Sequence, residues 1–492
     1  MDDQNKTKVH ETQSNIGYKQ YKSPHYEELA FSILQAKLIE MGYPEDLNKF
    51  KYEPSFPVRG MWFDKTFGTL LKMDQFGNIL VCLLGFKIVV HDQLRHLYPN
   101  KFVKYDEKRI VIMNTLFDLP KLYMLACIIQ LLTDSEGFIV SERGVKRGAL
   151  YMSYMSVYED VEKATDWMHT GELKRRTLAD IDRYVYKDSR IPLLLERLRS
   201  YGAKTFLLTN SDYDYSHSSD KTWKSYFDYI VTDANKPKFF IQGTILRSVN
   251  ESTGQKNIGH HMGPLESGRI YSGGSCEVFS ELIGARGKDV LYVGDHIFGD
   301  ILKSKKTVGW RTFLIIPELV NEIYVWKTKS DLFEKLNDLN RTLASYYKNM
   351  NITSSNKPDV SQIQTDVRRV AQEMEESYGI LGSIFRNGSR QTFFSSQVLR
   401  YADLYSFSCV NLTNYPLFYM FRAPQMLMPH ESTVSHDDTP LDSYHDLDAT
   451  PCSLQRRTRT GMQLQPSIDA WTPSLGPPRS NESSDLEDDD IY

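Results

Sequence analysis

Two carboxylates follow directly after a short apolar run near residue 290. Residues 290–293 are apolar, the run stops at Gly294, and Asp295 and Asp300 come next. A short apolar run bounded by glycine is typical of a buried strand. Open α/β folds place their sites at the carboxyl ends of parallel strands, and proteins hold Mg²⁺ through one or two carboxylates. The sequence therefore makes Asp295 a candidate Mg²⁺ ligand, with capping of the next helix as the alternative for both aspartates.

Polar groups suited to a phosphate follow two other apolar runs. Thr209 and Asn210 could hold phosphate oxygens together with backbone N–H groups, whereas simple helix capping is the alternative. Lys236 could neutralise charge on a transferring phosphoryl group, and Asp300 could orient a ligand or Lys236. The alternative for Lys236 is an ordinary surface lysine. Taken together, the residues indicate phosphoryl transfer at a sheet edge.

Short apolar strands that alternate with helical patterns would position these groups. Such alternation predicts an α/β fold with a doubly wound, largely parallel sheet. The strands are predicted over 204–208, 229–232, 290–294 and 310–316.

Other patterns predict elements outside this sheet. A helix is predicted over about 24–41, and a hairpin over 67–84. Residues 115–200 predict mainly helices, among which the apolar run 122–132 is about half as long as a membrane span and predicts a buried helix. Residues 318–378 predict long amphipathic helices.

Composition excludes several classes of protein. The chain has 492 residues and a formal charge of −4, which gives no general argument for binding nucleic acid or an anionic membrane. Five scattered cysteines without a C-x-x-C pair argue against a zinc ribbon or a disulfide scaffold and fit a reducing compartment. Residues 1–20 are polar and lack a secretory signal, so we expect a cytoplasmic protein. Residues 434–492 predict a disordered acidic tail.

Several short segments narrow the interpretation. They are 56–60 (FPVRG), 208–213 (LTNSDY), 236–237 (KP), 270–275 (IYSGGS), 293–306 (VGDHIFGDILKSKK), 390–392 (RQT) and 428–433 (MPHEST). They resemble the cytosolic purine 5′-nucleotidase family of the haloacid-dehalogenase-like superfamily, over residues about 18–433. The segment around Gly294 is the most specific of them.

The resemblance implies a fold and an activity. The fold would be a haloacid-dehalogenase-like doubly wound sheet, with a mainly helical cap in roughly 60–200, core motifs in 204–316 and a helical extension in 318–433. The activity would be Mg²⁺-dependent hydrolysis of 6-hydroxypurine nucleoside monophosphates such as IMP and GMP through an aspartyl-phosphate. The resemblance also implies a homo-oligomer, which in this family is generally a tetramer, and activation by ATP-like polyphosphates.

The resemblance also implies roles for individual residues. Lys236 and Asp300 would be catalytic, and Asp295 would bind the metal. The other implied contacts are Thr209, Asn210 and Ser211 to phosphate; Phe117, Asp166, His169 and Lys174 to substrate; and Lys306 and Asn114 to the effector. Core packing is the alternative for Phe117, and a solvated helix face is the alternative for Lys306.

The chain departs from the family at its start. The family begins with a strand that ends in Asp-x-Asp-x-Thr, and ungapped counting places Gln13, Asn15 and Gly17 at those positions. An amide has no anionic oxygen to attack phosphorus and cannot shuttle a proton near neutral pH. We therefore expect that the nucleophile and its central strand are missing, through an altered start, an alternative transcript or a faulty gene model rather than an evolved loss.

Smaller departures affect the cap and a loop. Glu162 replaces a family arginine, one residue is absent before Gly171, and the stretch 214–224 is short. An acidic residue near a nucleotide is unfavourable, so we expect altered substrate preference. The competing hypotheses are a catalytically inactive nucleotide-binding or regulatory subunit and, less well supported, an unfolded fragment.

Overall fold

The computed structural model describes residues 9–11, 20–211, 223–348, 350, 354, 356–423, 425–428 and 430–431. The chain divides into two compact units. The first unit comprises Met1–Val325 and Glu375–Tyr419, and the second comprises Trp326–Met374 and Met420–Tyr492. The protein is a mixed α/β protein with several sheets and many helices. The predicted acidic tail and the key positions Gln13, Asn15 and Gly17 lie outside the described residues.

The largest sheet has eight strands and belongs to the first unit. In spatial order they are Arg247–Ser248, Ile270–Ser272, Tyr229–Thr232, Lys204–Leu208, Val9–Glu11, Val290–Gly294, Arg311–Ile315 and Leu404–Ser406. All neighbours are parallel except the first pair, which is antiparallel. The four strands predicted from apolar runs are therefore confirmed as parallel strands.

Apolar residues cover both faces of this sheet. Along one strand, Phe206 and Leu208 belong to one buried cluster, whereas Leu207 belongs to another. Successive side chains of a strand point to opposite faces, so the two clusters lie on opposite sides. Burial on both faces explains why these strands are continuous apolar runs rather than alternating ones.

The strand Val9–Glu11 occupies the centre of the sheet. Val9 pairs with Lys204 on one side and with Val290 on the other, both in parallel. The expectation that the central strand is missing is therefore wrong. Its sequence, Val-His-Glu, has a low intrinsic preference for a strand. It forms a strand by pairing with the apolar strands Lys204–Leu208 and Val290–Gly294.

In chain order, a five-stranded antiparallel sheet follows Val9–Glu11 and precedes the other strands of the eight-stranded sheet. In spatial order it contains Lys87–Ile88, Ile79–Leu84, Thr69–Met73, Met61–Asp64 and Ile110–Met113. The predicted hairpin is confirmed by the pairing of Thr69–Met73 with Ile79–Leu84. The predicted first helix is also confirmed, and it spans His25–Glu40.

The region expected to be a mainly helical cap contains strands as well. Its longest helix, Asp118–Asp134, is buried as predicted. The three-stranded sheet formed by Ile139–Ser141, Gly144–Arg147 and Leu150–Ser153 was not predicted, because its short strands are largely exposed and lack an apolar face. Together with the five-stranded sheet, it corrects the description "mainly helical". The remaining described helices here are His91–Leu97, Tyr154–Trp167, Leu173–Ala179, Ile181–Tyr184 and Arg190–Ser200, with a π-helical turn at Met168–Glu172.

The predicted amphipathic helices after residue 318 are confirmed. They span Leu319–Thr328, Ser330–Tyr347 and Ser361–Glu376. In the second unit, Leu332, Val370 and Met374 form the buried contact between two of them. In the first unit, a helix at Phe393–Tyr401 and a 3₁₀ turn at Cys409–Asn414 follow. Among the described helices, none is long and apolar enough to span a bilayer.

Candidate active site at the carboxyl edge of the eight-stranded sheet

Lys236 and Asp300 meet at the carboxyl edge of the sheet, where they follow the parallel strands Tyr229–Thr232 and Val290–Gly294. Lys236 Nζ lies 3.2 Å from Asp300 Oδ1, and both side chains are 3% exposed. Lys236 Nζ also donates to the Leu208 carbonyl at 3.2 Å. The interpretation of Lys236 as an ordinary surface lysine is therefore wrong, and a buried charge pair stands at this edge of the sheet.

Tyr292 completes this buried cluster and was not identified from the sequence. Its hydroxyl accepts a hydrogen bond from Lys236 Nζ and donates one to Asp300 Oδ1, each at 3.2 Å. Tyr292 is fully buried within the strand Val290–Gly294. The sequence feature that could have identified Tyr292 is its position in an apolar run, because a buried tyrosine hydroxyl usually needs a hydrogen-bond partner.

Asn210 binds the backbone of Lys236. Its Nδ2 donates to the Lys236 carbonyl at 3.0 Å, and its Oδ1 accepts from the Lys236 N–H at 2.6 Å. Thr209 Oγ1 accepts from the backbone N–H of Ser211 at 2.9 Å. Asn210 therefore connects the loop after Lys204–Leu208 to the loop after Tyr229–Thr232, and its amide positions Lys236.

Asp295 directly follows Gly294, at the end of the strand that contains Tyr292. Burial and the neighbouring Asp300 raise the pKa of Asp295 to about 6, although Arg59 and Lys236 oppose the shift. The hydrogen bond that acts on its carboxylate comes from its own backbone N–H. A buried carboxylate beside a second one is a position that a bound cation would stabilise.

The donor set restricts which metal could bind. In the described ranges, no group of three or more His, Cys, Asp or Glu side chains forms a metal cage. A single hard oxygen ligand suits Mg²⁺, which keeps several waters and takes phosphate oxygens, better than a closed zinc site. The residues present at this edge of the sheet therefore fit Mg²⁺.

His296, rather than either aspartate, caps the helical turn Ile297–Leu302. Its Nδ1 accepts from the backbone N–H groups of Phe298 and Gly299 at 3.2 and 3.1 Å. Burial lowers the pKa of His296, which favours the neutral ring, and the two bonds accepted by Nδ1 place the ring proton on Nε2. Asp300 Oδ2 accepts from the His296 N–H at 3.3 Å. The capping alternative for Asp295 is therefore not supported by the geometry.

Arg59 is the second residue of this region that sequence reasoning did not single out. It belongs to the FPVRG segment, and its Nη1 donates to the main-chain carbonyl of Asp295 at 3.1 Å. Its partners lie more than two hundred residues away in the chain, so no local pattern could reveal the contact.

Two of the expected substrate residues are in contact with each other. Phe117 and His169 meet edge to face with ring centroids 5.7 Å apart. Burial and Lys121 lower the pKa of His169, so the ring is neutral near physiological pH. Asp166 is exposed, and Lys174 is half-buried on the helix Leu173–Ala179. The ring of Phe117 also contacts Tyr21 and Tyr26, which is the packing alternative noted for it.

Glu162, the residue that replaces a family arginine, is paired within the protein. Its carboxylate lies 3.1 Å from Lys121 Nζ, which also lies 3.0 Å from Asp118. Burial opposes the charged form of Lys121, but Asp118 and Glu162 outweigh it and raise the pKa of Lys121. Much of the unfavourable charge expected from Glu162 is therefore neutralised by a buried lysine.

The two expected effector residues differ in exposure. Asn114 is buried just before the helix Asp118–Asp134, and its Oδ1 has no hydrogen-bond partner within the described part of the chain. Lys306 is exposed in the π-helical turn Ser304–Val308.

Comparisons with known proteins agree with the segment pattern. The model of the 5′ nucleotidase family matches residues 18–433. A 5′-nucleotidase domain-containing protein of Dictyostelium discoideum is 28% identical over 426 residues, which cover 82% of this chain and 69% of the relative.

Proposed function

Because the chain belongs to the 5′ nucleotidase family, we propose that its carboxyl-edge site has the architecture of a Mg²⁺-dependent phosphohydrolase site for 6-hydroxypurine nucleoside monophosphates such as IMP and GMP, although Gln13 stands where the attacking carboxylate is expected. Family membership supports a nucleotide phosphohydrolase role, that is, the hydrolysis of a phosphoric monoester. The observation that carries the proposal is the buried Lys236–Asp300 pair beside the Asp295 carboxylate.

Lys236 supplies the positive charge for the phosphate in this proposal. Asp300 and Tyr292 hold its ammonium, and Asn210 holds its backbone. A preorganised cation stabilises charge that develops on a transferring phosphoryl group without reorganising during the reaction. Thr209 and Ser211 lie on the adjoining turn and are proposed to bind phosphate oxygens.

Asp295 is proposed to hold the Mg²⁺. A bound Mg²⁺ would neutralise phosphate charge and orient the group for in-line attack. The nucleoside would bind at Phe117 and His169, whose rings are already in contact, with Asp166 and Lys174 nearby in the chain.

The proposal includes the haloacid-dehalogenase-like arrangement of the sheet. Its support is the parallel strand order, in which Val9–Glu11 lies between the strands that end before Thr209 and at Gly294. An attacking carboxylate just beyond this central strand would stand between the phosphate-binding and metal-binding loops.

Gln13 favours a second candidate function, nucleotide binding without turnover. Gln13 stands two residues after the last residue of the central strand, and Asn15 follows it. An aspartyl-phosphate needs a carboxylate at the attacking position, and neither amide provides one. The chain would then act as a regulatory subunit that binds purine nucleotides.

Phosphate release from IMP with Mg²⁺ tests both candidates. We expect the wild type to release phosphate no faster than an Asp295→Asn control, and the Gln13→Asp/Asn15→Asp double variant to gain turnover. Calorimetry with IMP measures binding independently of turnover.

Each outcome favours one candidate. Wild-type turnover above the Asp295→Asn control would reject the non-catalytic candidate. A folded double variant that binds IMP without turnover would argue against a phosphohydrolase site, and absence of IMP binding by the wild type would count against both.

We also propose that the protein is a cytosolic homo-oligomer that responds to an ATP-like polyphosphate at Lys306 and Asn114. The support is the family resemblance of these positions and the exposure of Lys306. Analytical ultracentrifugation with and without ATP would test the assembly, and Lys306→Ala should remove any response to ATP.

A further inference from the structure

The side chain of Arg59 is buried between two strand-end loops of the eight-stranded sheet. It is 0% exposed. Its Nε and Nη2 donate to the two carboxylate oxygens of Glu318 at 2.7 and 2.6 Å. Its remaining terminal nitrogen, Nη1, donates to the main-chain carbonyl of Asp295 at 3.1 Å. One guanidinium therefore connects the loop after Val290–Gly294 to the loop after Arg311–Ile315.

Close packing fixes where Arg59 can sit. The guanidinium carbon lies 5.1 Å from the centre of the Phe394 ring. The next residue, Gly60, has a φ of +83°, and a Cβ there would approach Phe394 Cβ to 2.6 Å. Glycine is favoured at such a position, and its lack of a side chain lets the backbone next to Arg59 lie directly against Phe394.

This arrangement is poorly explained by stability alone. Burying an ion pair costs desolvation energy that its attraction often fails to recover, and an apolar pair of similar size would be as stable. The forked geometry instead gives directional control, since a planar guanidinium fixes all of its partners in one plane. Two donors bind a carboxylate, and the third reaches the peptide that carries the candidate metal ligand.

We propose that Arg59 is a positioning residue for Asp295, which it holds through the main-chain carbonyl, and that it thereby sets the affinity of the site for Mg²⁺. The proposal rests on the proposed function to the extent that Asp295 is the metal ligand. Glu318 has the supporting role of neutralising Arg59 and keeping its third donor directed at the carbonyl. Neither residue needs to touch the metal or the nucleotide.

The test measures Mg²⁺ affinity by isothermal titration calorimetry on the full chain, together with thermal unfolding in the absence of metal. Arg59→Lys keeps the charge opposite Glu318 but lacks the planar fork. We expect it to weaken Mg²⁺ binding by about ten-fold or more, as loss of residues that orient metal ligands generally does.

Arg109→Lys is the matched control. Arg109 also makes a forked contact with a buried carboxylate, that of Asp64, and lies 5.0 Å from the Phe67 ring. These partners, Asp64 and Phe67, lie outside the Gly294–Asp300 loop. We expect Arg109→Lys to lower the unfolding temperature and leave Mg²⁺ affinity unchanged.

Glu318→Gln is the second variant, for use if Arg59→Lys fails to fold. It leaves a side chain of the same shape but disturbs the fork, so Mg²⁺ binding should weaken in the same direction. Unchanged affinity in a folded Arg59 or Glu318 variant, or an equal loss in Arg109→Lys, would overturn the inference. Asp295→Asn separates the proposed metal site from the positioning role of Arg59. If Asp295→Asn abolishes Mg²⁺ binding and the Arg59 and Glu318 variants do not weaken it, only the positioning role is rejected. If the Asp295→Asn variant binds Mg²⁺ like the wild type, both the proposed metal site and the positioning role of Arg59 are rejected.

Discussion

Lys236 uses all three of its ammonium donors within the protein. Each of the Leu208 carbonyl, the Tyr292 hydroxyl and the Asp300 carboxylate lies 3.2 Å from Nζ. An ammonium has three donors, so this set leaves none over for a ligand. A phosphate could bind Nζ only by replacing one of these partners, of which the Leu208 carbonyl and the Tyr292 hydroxyl are uncharged.

Tyr292→Phe should destabilise the protein by about 1–3 kcal/mol. The substitution removes the hydroxyl that connects Lys236 to Asp300 and leaves both buried charges with one partner fewer. The free energy of unfolding in urea measures the effect.

Tyr154→Phe provides the comparison, because the Tyr154 hydroxyl is buried without a hydrogen-bond partner in the described part of the chain. Its removal should leave stability unchanged or increase it. Equal losses in the two variants would show that the buried cluster contributes nothing specific.

At the scale of single elements, local patterns predict the apolar strands and the polar groups at their ends. Thr209, Lys236 and Asp300 could be placed at one edge because each follows an apolar run and the edge is shared. Arg59 and the central strand could not be predicted, because their structure depends on partners far away in the chain. Val9–Glu11 contains one apolar residue, so its neighbours, rather than its own sequence, define it.

Gly294→Ala should destabilise the protein by about 1–3 kcal/mol, as overpacking in a full interior does. A Cβ at Gly294 would lie 2.7 Å from Asp300 Cβ and 2.9 Å from its Oδ2, so Asp300 would have to move away from Lys236. Denaturant unfolding measures the loss.

Gly171→Ala is the matched control in a helical turn. A Cβ there meets nothing within 4 Å, so the protein should be unchanged or slightly more stable. A Gly294→Ala protein as stable as this control would mean that the loop has room the structure does not show.

At the scale of the whole molecule, buried phenols are a shared property of the first unit. Burial is the main cause that raises the pKa of several tyrosines described there, among them Tyr43, Tyr52, Tyr98, Tyr123 and Tyr158. Burial also raises the pKa of Tyr154 to about 12. These groups stay protonated in the folded protein at a pH at which the unfolded chain loses its protons.

Stability should therefore fall as the pH rises above 10, the ordinary pKa of tyrosine. A raised folded-state pKa gives a contribution that is complete below the unfolded pKa and is lost as the pH rises through the folded one. Urea midpoints measured at increasing pH would show the decline. Tyr154→Phe should make it less steep between pH 10 and about 12, and a flat profile would contradict the prediction.

The position of Val9–Glu11 has a consequence for the order in which the protein folds. This strand precedes both of its partners in the chain, and it pairs with Lys204 and Val290 only after the intervening residues have been synthesised. Its neighbours cannot complete the sheet without it, so the sheet depends on contacts of high sequence separation, which are slow to form. During synthesis, Val9–Glu11 therefore remains unpaired until its partners have been made, and its exposed edges are surfaces that a chaperone would need to protect.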